Sequence, residues 1–263
     1  MSQLQTFSKC GEQWRLEKRV LAPSRPAAWC HQGTAFHTAV EAWERNYRQD
    51  HPGDILDLFE TEYDRLVAVD MEREPDLARW LTGGNSRADA DITRRRERGA
   101  TQVQGYMDYA LADSGRVWRD PDGFPALEVE FRLDLGGVAV VGYIDQVWQW
   151  GTGQIGPRDL KTGTRLPGSP LQLGVYRVAV QELYGFLPAW GDFYMAKNNR
   201  PERPVDLSRY TREWVTSQFR MLEAGIRAES FLPNPGDGCR TCGVSEFCSA
   251  IGDPGRLPIP RKV

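Results

Sequence analysis

Asp145, Asp159 and Lys161 are the residues whose types and spacing bear most directly on chemistry. Asp159 and Lys161 stand two apart in RDLKTG, so in an extended chain both side chains leave one face while Leu160 leaves the other. Asp145 closes an apolar run in GYIDQV. Two carboxylates and one amine aimed at a common point suit a divalent metal and a phosphate. Mg²⁺ or Mn²⁺ takes hard oxygen ligands and leaves positions for water and phosphate oxygens. A neighbouring lysine can orient the attacking water or stabilise charge growing on phosphorus. Only five of the 33 basic residues are lysines, which makes this spacing less easily a coincidence. A lone D-x-K nonetheless reads equally as a surface ion pair.

The flanking pattern supplies elements to hold these groups. Leu127, Val129, Phe131 and Leu133 alternate with Glu128, Glu130, Arg132 and Asp134, the period of a strand with one buried face. Gly136-Gly137 predicts a turn into a second strand from Val138 to Trp150, and a third short strand carries Asp159 and Lys161. The helix after it, opening SPLQLGVYRVAV, sets Gln172 and Tyr176 on one face and leaves Leu171, Val175 and Val178 to pack on the sheet. Upstream, Phe36, Val40, Trp43 and Tyr47 recur at helical spacing from about Gly33 to Arg48. His37, Glu41 and Glu44 lie beside that stripe, and His37 taken alone reads as a core or boundary histidine.

Taken in order, GYIDQV, RDLKTG and QLGVY resemble the RecB-type branch of the PD-(D/E)XK nucleases, whose pattern runs G-x-x-D, D-x-K-T-G and Q-x-x-x-Y. Gly33-Thr34-Ala35-Phe36-His37 matches that family's upstream G-T-x-x-H. The resemblance implies an α/β, restriction-endonuclease-like core: a mixed central sheet flanked by helices. It implies one or two Mg²⁺ or Mn²⁺ ions held by His37, Glu128, Asp145 and Asp159, with the backbone carbonyl of Leu160 as a further ligand. Glu128 is the better match to the family's carboxylate ahead of the hairpin, and Glu130 shares its strand face. Lys161 would position and activate water, while Gln172 and Tyr176 would contact the DNA backbone.

Cys239, Cys242 and Cys248 are spaced C-x2-C-x5-C in a Pro/Gly-rich tail, which points to metal rather than core packing. Cys10 is the candidate fourth ligand and Cys30 the alternative; otherwise Cys30 is a small buried hydrophobe. By ligand type, zinc and an iron–sulfur cluster are both open. One upstream cysteine plus this tail is similar to the iron–sulfur branch of the same family, which includes the AddB nuclease domain and the CRISPR-associated exonuclease. That likeness implies a 4Fe-4S cluster joining residues 1–30 to 231–250, although Gly11 stands where the family has proline.

The 263 residues suffice for one elaborated unit, expected as a single nuclease domain over 1–263, with a helical insertion over 51–120 and a catalytic core over 124–200. A net charge of -3 and pI near 5.8 exclude a broad nucleic-acid-binding coat but not a local basic groove. Arg94, Arg95, Arg96 and Arg98 read as a solvated face or as contacts to DNA phosphates, in which case the insertion would roof the site. No apolar run nears the ~20 residues of a membrane span and the start lacks signal-peptide character, so a cytoplasmic protein with no membrane partner is expected. With no G-x-x-x-x-G-K-[ST] motif, any helicase or recombination partner is a separate chain. The expected function is metal-dependent DNA cleavage in recombination, repair or CRISPR-type processing. The family leans toward single-strand exonuclease action, 5′ to 3′, and its ring-forming relatives make an oligomer conceivable. The rivals are a non-catalytic DNA-end-binding module of the same fold and a zinc-stapled structural protein.

Overall fold

The computed structural model describes residues 2–257; Met1 and 258–263 of the expected 1–263 unit lie outside them. In chain order the helices and strands are α1 (Ser2–Lys9), α2 (Gly11–Trp14), α3 (Ala28–Arg45), α4 (Pro52–Arg73), α5 (Ala88–Ala112), β1 (Arg116–Val117), β2 (Leu127–Asp134), β3 (Ala139–Gln149), β4 (Ile155–Lys161), α6 (Leu171–Tyr184), β5 (Trp190–Met195), β6 (Arg200–Pro201), β7 (Val205–Asp206) and α7 (Arg212–Arg227). β2 and β3 form an antiparallel hairpin about Gly136 and Gly137, whose φ of +70° and +89° only glycine adopts without strain. β3 pairs antiparallel with β4, and β4 pairs parallel with β5 across the α6 crossover. The result is a mixed, curled sheet flanked by helices, an architecture that fits a restriction-endonuclease-like core.

Each sheet face carries its own apolar layer. Phe131, Leu133, Val140, Ile144, Phe193 and Met195 pack under α6 and α7. On the opposite side Leu160, Tyr194 and Ala196 meet Phe36, Val40 and Trp43 of α3, Phe59 and Tyr63 of α4, and Val103, Tyr106 and Met107 of α5. The helical stretch after residue 51 therefore packs on the sheet, and Gln102 of α5 donates to the Thr162 carbonyl at 3.0 Å, just past Lys161. Its apolar faces are one wall of the sandwich, because Leu160 and Tyr194 would otherwise be left facing water.

Two local expectations fail at α3. The helix starts at Ala28, not Gly33, and so carries Cys30 and His31, with Cys30 exposed rather than buried. It ends at Arg45, and Tyr47 and Arg48 follow with φ of +57° and +63°. Tyr47 is thereby turned out of the stripe formed by Phe36, Val40 and Trp43 and stands exposed.

The chain ends meet away from the sheet. Gly11 N–H donates to the Leu232 carbonyl at 3.0 Å and the Asn234 side chain to the Lys9 carbonyl at 2.9 Å. Trp14 stacks on Phe231, and Leu16 is buried with Val244 and Phe247.

Beneath β4 lies a wholly buried ion pair. Arg158 Nε and Nη2 donate to the two Asp192 oxygens at 2.7 Å each, with the guanidinium over the Trp148 ring. Removing one partner strands the other charge in the interior, which costs far more than the pair contributes. Asp192→Ala is expected to lower unfolding free energy by roughly 3–5 kcal/mol in urea titration, while Arg158→Met with Asp192→Leu recovers most of it.

Candidate metal centre

The site forms where two strands part. The β3–β4 ladder ends at the pair Gln146 and Arg158, while β4 continues against β5 as far as Lys161 and Met195. Lys161 C=O accepts from Ala196 N–H on the β5 side, so the backbone groups of Leu160 point the other way, into the gap left by β3. Both find partners from the predicted set. Leu160 N–H donates to Asp145 Oδ2 at 2.8 Å, and Leu160 C=O lies 3.3 Å from His37 Nε2.

His37 arrives from the middle of α3, its Nδ1 3.0 Å from Glu128 Oε1 and 3.9 Å from Asp145 Oδ2. His37, Glu128 and Asp145 each place a ligand atom within 4.8 Å of the others. Glu128 sits opposite Asp145, between the paired rows Leu127–Gln146 and Val129–Ile144, yet has φ of +44°. A left-handed glutamate costs roughly 1–3 kcal/mol and marks a position over-determined by its surroundings. Glu130, the alternative, lies one row further out and pairs with Arg132.

Asp159 is fully buried, and neither of its oxygens receives a well-directed hydrogen bond; its close neighbour is the Lys161 ammonium, 2.6 Å from Oδ2. Burial and then the Asp145 charge push its carboxyl up to about 7, against the pull of Lys161 and His37. Burial alone would depress the His37 imidazole, but Asp145, Glu128 and Asp159 outweigh it and lift His37 to about 9. Three carboxylates crowded around one imidazole and one ammonium, one of them buried with only that ammonium beside it, form a set that a divalent cation fits. Asp159 lies beside the three convergent ligands rather than within their group.

Lys161 Nζ donates to Gln172 Oε1 at 3.2 Å, Gln172 Nε2 to the Tyr176 hydroxyl at 2.8 Å, and that hydroxyl to Asp145 Oδ1 at 3.4 Å. Tyr176 is buried, and burial with the neighbouring carboxylates drives its phenol far upward. The expected contact of Tyr176 with DNA is therefore replaced by an internal one. With Gln172 it ties the lysine to the metal-site carboxylate from behind.

The predicted arginines are largely committed elsewhere. Arg94 and Arg95 pair with buried Asp91, and Arg96 pairs with Glu60 and Asp64 at 2.9 Å. Arg98 has no carboxylate partner among the described residues. Cys10, Cys239, Cys242 and Cys248 line one cavity, whereas Cys30 lies apart on α3. All five thiols are free.

One neighbour of the site escaped the sequence reading. Tyr143 lines the open cleft with Gly33, Thr34, His37, Thr38, Glu41 and Glu128. Its signal was available: it stands two residues before Asp145 on the same strand, hence on the same face.

Comparison with known proteins agrees with this geometry. A profile of the PD-(D/E)XK nuclease superfamily matches residues 1–249. The Gene 69 protein of Mycobacterium phage D29 is 38% identical over 258 residues, spanning 94% of this chain and 95% of its own. The Gene 69 protein of Mycobacterium phage L5 is 32% identical over 277 residues, spanning 94% of each. The chain belongs to the PD-(D/E)XK nuclease superfamily, whose members are divalent-metal nucleases.

The two raised groups define a pH signature of the metal-free protein. A folded His37 near 9 holds its proton more tightly than an unfolded one near ~6.5, so this stabilisation is complete below ~6.5 and lost as pH rises through 9. Asp159, raised to about 7, has the same sign: stability falls between ~4 and 7 as the buried carboxyl ionises. With the imidazole side chain 28% exposed, the His37 contribution is on the order of 2 kcal/mol. Urea titrations of metal-free protein between about pH 6 and 10 are expected to show that loss in wild type and not in His37→Gln. Mn²⁺ should raise the melting temperature more at about pH 8.5 than at about pH 6, because the imidazole must shed its proton to bind metal.

Proposed function

We propose that this PD-(D/E)XK superfamily member is a Mg²⁺- or Mn²⁺-dependent deoxyribonuclease acting on single-stranded DNA or single-stranded ends, as an exonuclease running 5′ to 3′. The observation that carries the nuclease reading is the convergence of His37, Glu128 and Asp145 ligand atoms within 4.8 Å, with Asp159 and Lys161 alongside. Strand preference and polarity rest on the likeness to the iron–sulfur branch. Two phage proteins among the relatives favour a role in phage DNA recombination, repair or processing.

In this reading His37, Glu128, Asp145 and the Leu160 carbonyl hold the ion, with Asp159 completing the charge around it. When bound, the ion supplies an acidified water and neutralises charge on the phosphate. The chain's own work is positional. Lys161 holds the attacking water and its departing proton beside the Asp159 oxygens, while Gln172 and Tyr176 keep the Lys161 ammonium and the Asp145 carboxylate in register.

The four clustered cysteines are proposed as the ligands of a 4Fe-4S cluster, with Cys10 as the upstream ligand in preference to Cys30. The donor set fits. Four thiolates suit zinc and an iron–sulfur cluster alike, and the likeness to the iron–sulfur branch is what favours the cluster. It would add a covalent link between chain ends that already touch.

Degradation of end-labelled single strands with Mg²⁺ or Mn²⁺ tests the reaction. Asp145→Asn and Lys161→Ala are each expected to lose at least ~100-fold in rate, and opposite-end labels read the polarity. DNA binding without turnover in wild type would instead support an end-binding module. For the cluster, anaerobically purified protein is expected to be brown, with Cys10→Ser losing the colour and Cys30→Ser keeping it; colourless protein carrying stoichiometric zinc would overturn that assignment.

A further inference from the structure

Beyond Glu128 and Asp145 the β2–β3 hairpin carries its outward face into solvent for two more rows. Register pairs Glu130 with Tyr143 and then Arg132 with Val141. Residues two apart share a face and stand about 6.8 Å apart along the strand. The rows therefore read outward as metal ligands, an aromatic ring, and an aliphatic side chain beside a guanidinium. Tyr143 is 51% exposed and Val141 48%, while the Arg132 side chain is 78% exposed. Tyr143 packs against no other ring among the described residues, and its hydroxyl rests 3.5 Å from Glu130 Oε2. Arg132 donates twice to Glu130 Oε1, at 3.0 and 2.8 Å, so the glutamate's charge is offset from the neighbouring row.

Tyr143 is half-exposed in the wall of the cleft, and its ring offers an apolar face one row out from Glu128 and Asp145. We infer that the outward face of the β2–β3 hairpin is a track for one strand of nucleic acid, with Tyr143 the platform on which the base next to the cleaved linkage stacks. The row spacing is about twice the ~3.4 Å per base of a stacked duplex strand, so it accommodates an extended single strand and not a helical one. Stacking tolerates any base, because each offers a π face. The assignment rests on the nuclease reading above and deepens it: Tyr143 selects unpaired strands, since only an unstacked base can lie on the ring.

The test uses the full-length protein with Ca²⁺ in place of Mg²⁺ and a single-stranded oligonucleotide carrying 2-aminopurine. Wild type is expected to bind and to change the probe's fluorescence as the base stacks. Tyr143→Ala should weaken single-strand binding about fivefold or more and abolish that change, while Tyr143→Phe stays within about twofold of wild type. Binding of a blunt duplex should be the same in all three. Tyr143→Ala binding single strands as wild type does, Tyr143→Phe failing as badly as alanine, or equal losses on single strands and duplex would each overturn the platform. The two readings separate cleanly. Stacking without cleavage in Mg²⁺ or Mn²⁺ leaves the platform and removes the nuclease, while cleavage with unchanged single-strand binding in Tyr143→Ala does the reverse.

Discussion

The backbone of Leu160 is the constraint on which the rest depends. β4 leaves β3 after Arg158 while it stays paired with β5 on its other edge, and the parting leaves one N–H and one C=O of a central strand without a strand partner. Such groups cannot be abandoned in an interior. Asp145 and His37 meet them, and in doing so are brought within reach of each other. The crevice is thus a sheet defect repaired by side chains, and the repair assembles carboxylates around an imidazole.

That assembly holds its charges under tension. Asp159 has only the Lys161 ammonium beside it, Glu128 accepts a left-handed backbone, and His37 keeps a proton it would ordinarily release near neutrality. A divalent cation would neutralise the crowded carboxylates and take the place of that proton. The hydrogen-bonded chain from Lys161 through Gln172 and Tyr176 to Asp145 limits how far the lysine can drift. Stability elsewhere, notably the Arg158–Asp192 pair directly beneath β4, pins the strand that carries Asp159 and Lys161.

Much of this was legible in the sequence, for reasons that differ by residue. RDLKTG and GYIDQV announce themselves because strand parity is local, and a two-residue spacing fixes a shared face. The mixed α/β core followed from the same alternation and from the resemblance it supported. Glu128 and Glu130 share parity, so nothing local separates them; the reversed φ at Glu128 does. Tyr176 matched its motif, but a motif reports presence, not depth, and the hydroxyl lies behind Asp145 instead of before DNA. Among the arginines of α5, Arg96 looked free because its partners Asp64 and Glu60 sit on another helix, whereas the Asp91 partner of Arg94 and Arg95 lies one turn back on α5 itself. Cys10 was named from the sequence ahead of Cys30, but that it shares a cavity with Cys239, Cys242 and Cys248 was not legible there, since a contact closing over two hundred residues leaves no periodic trace.

The central claim is that His37, Glu128 and Asp145 share one ion, and pulsed electron paramagnetic resonance of bound Mn²⁺ tests it most directly. The account predicts nitrogen coupling from one imidazole in wild type, absent in His37→Gln, together with weakened Mn²⁺ binding in Asp145→Asn. Mn²⁺ bound at wild-type strength in Asp145→Asn, or bound in wild type with no nitrogen in its coordination sphere, would contradict it.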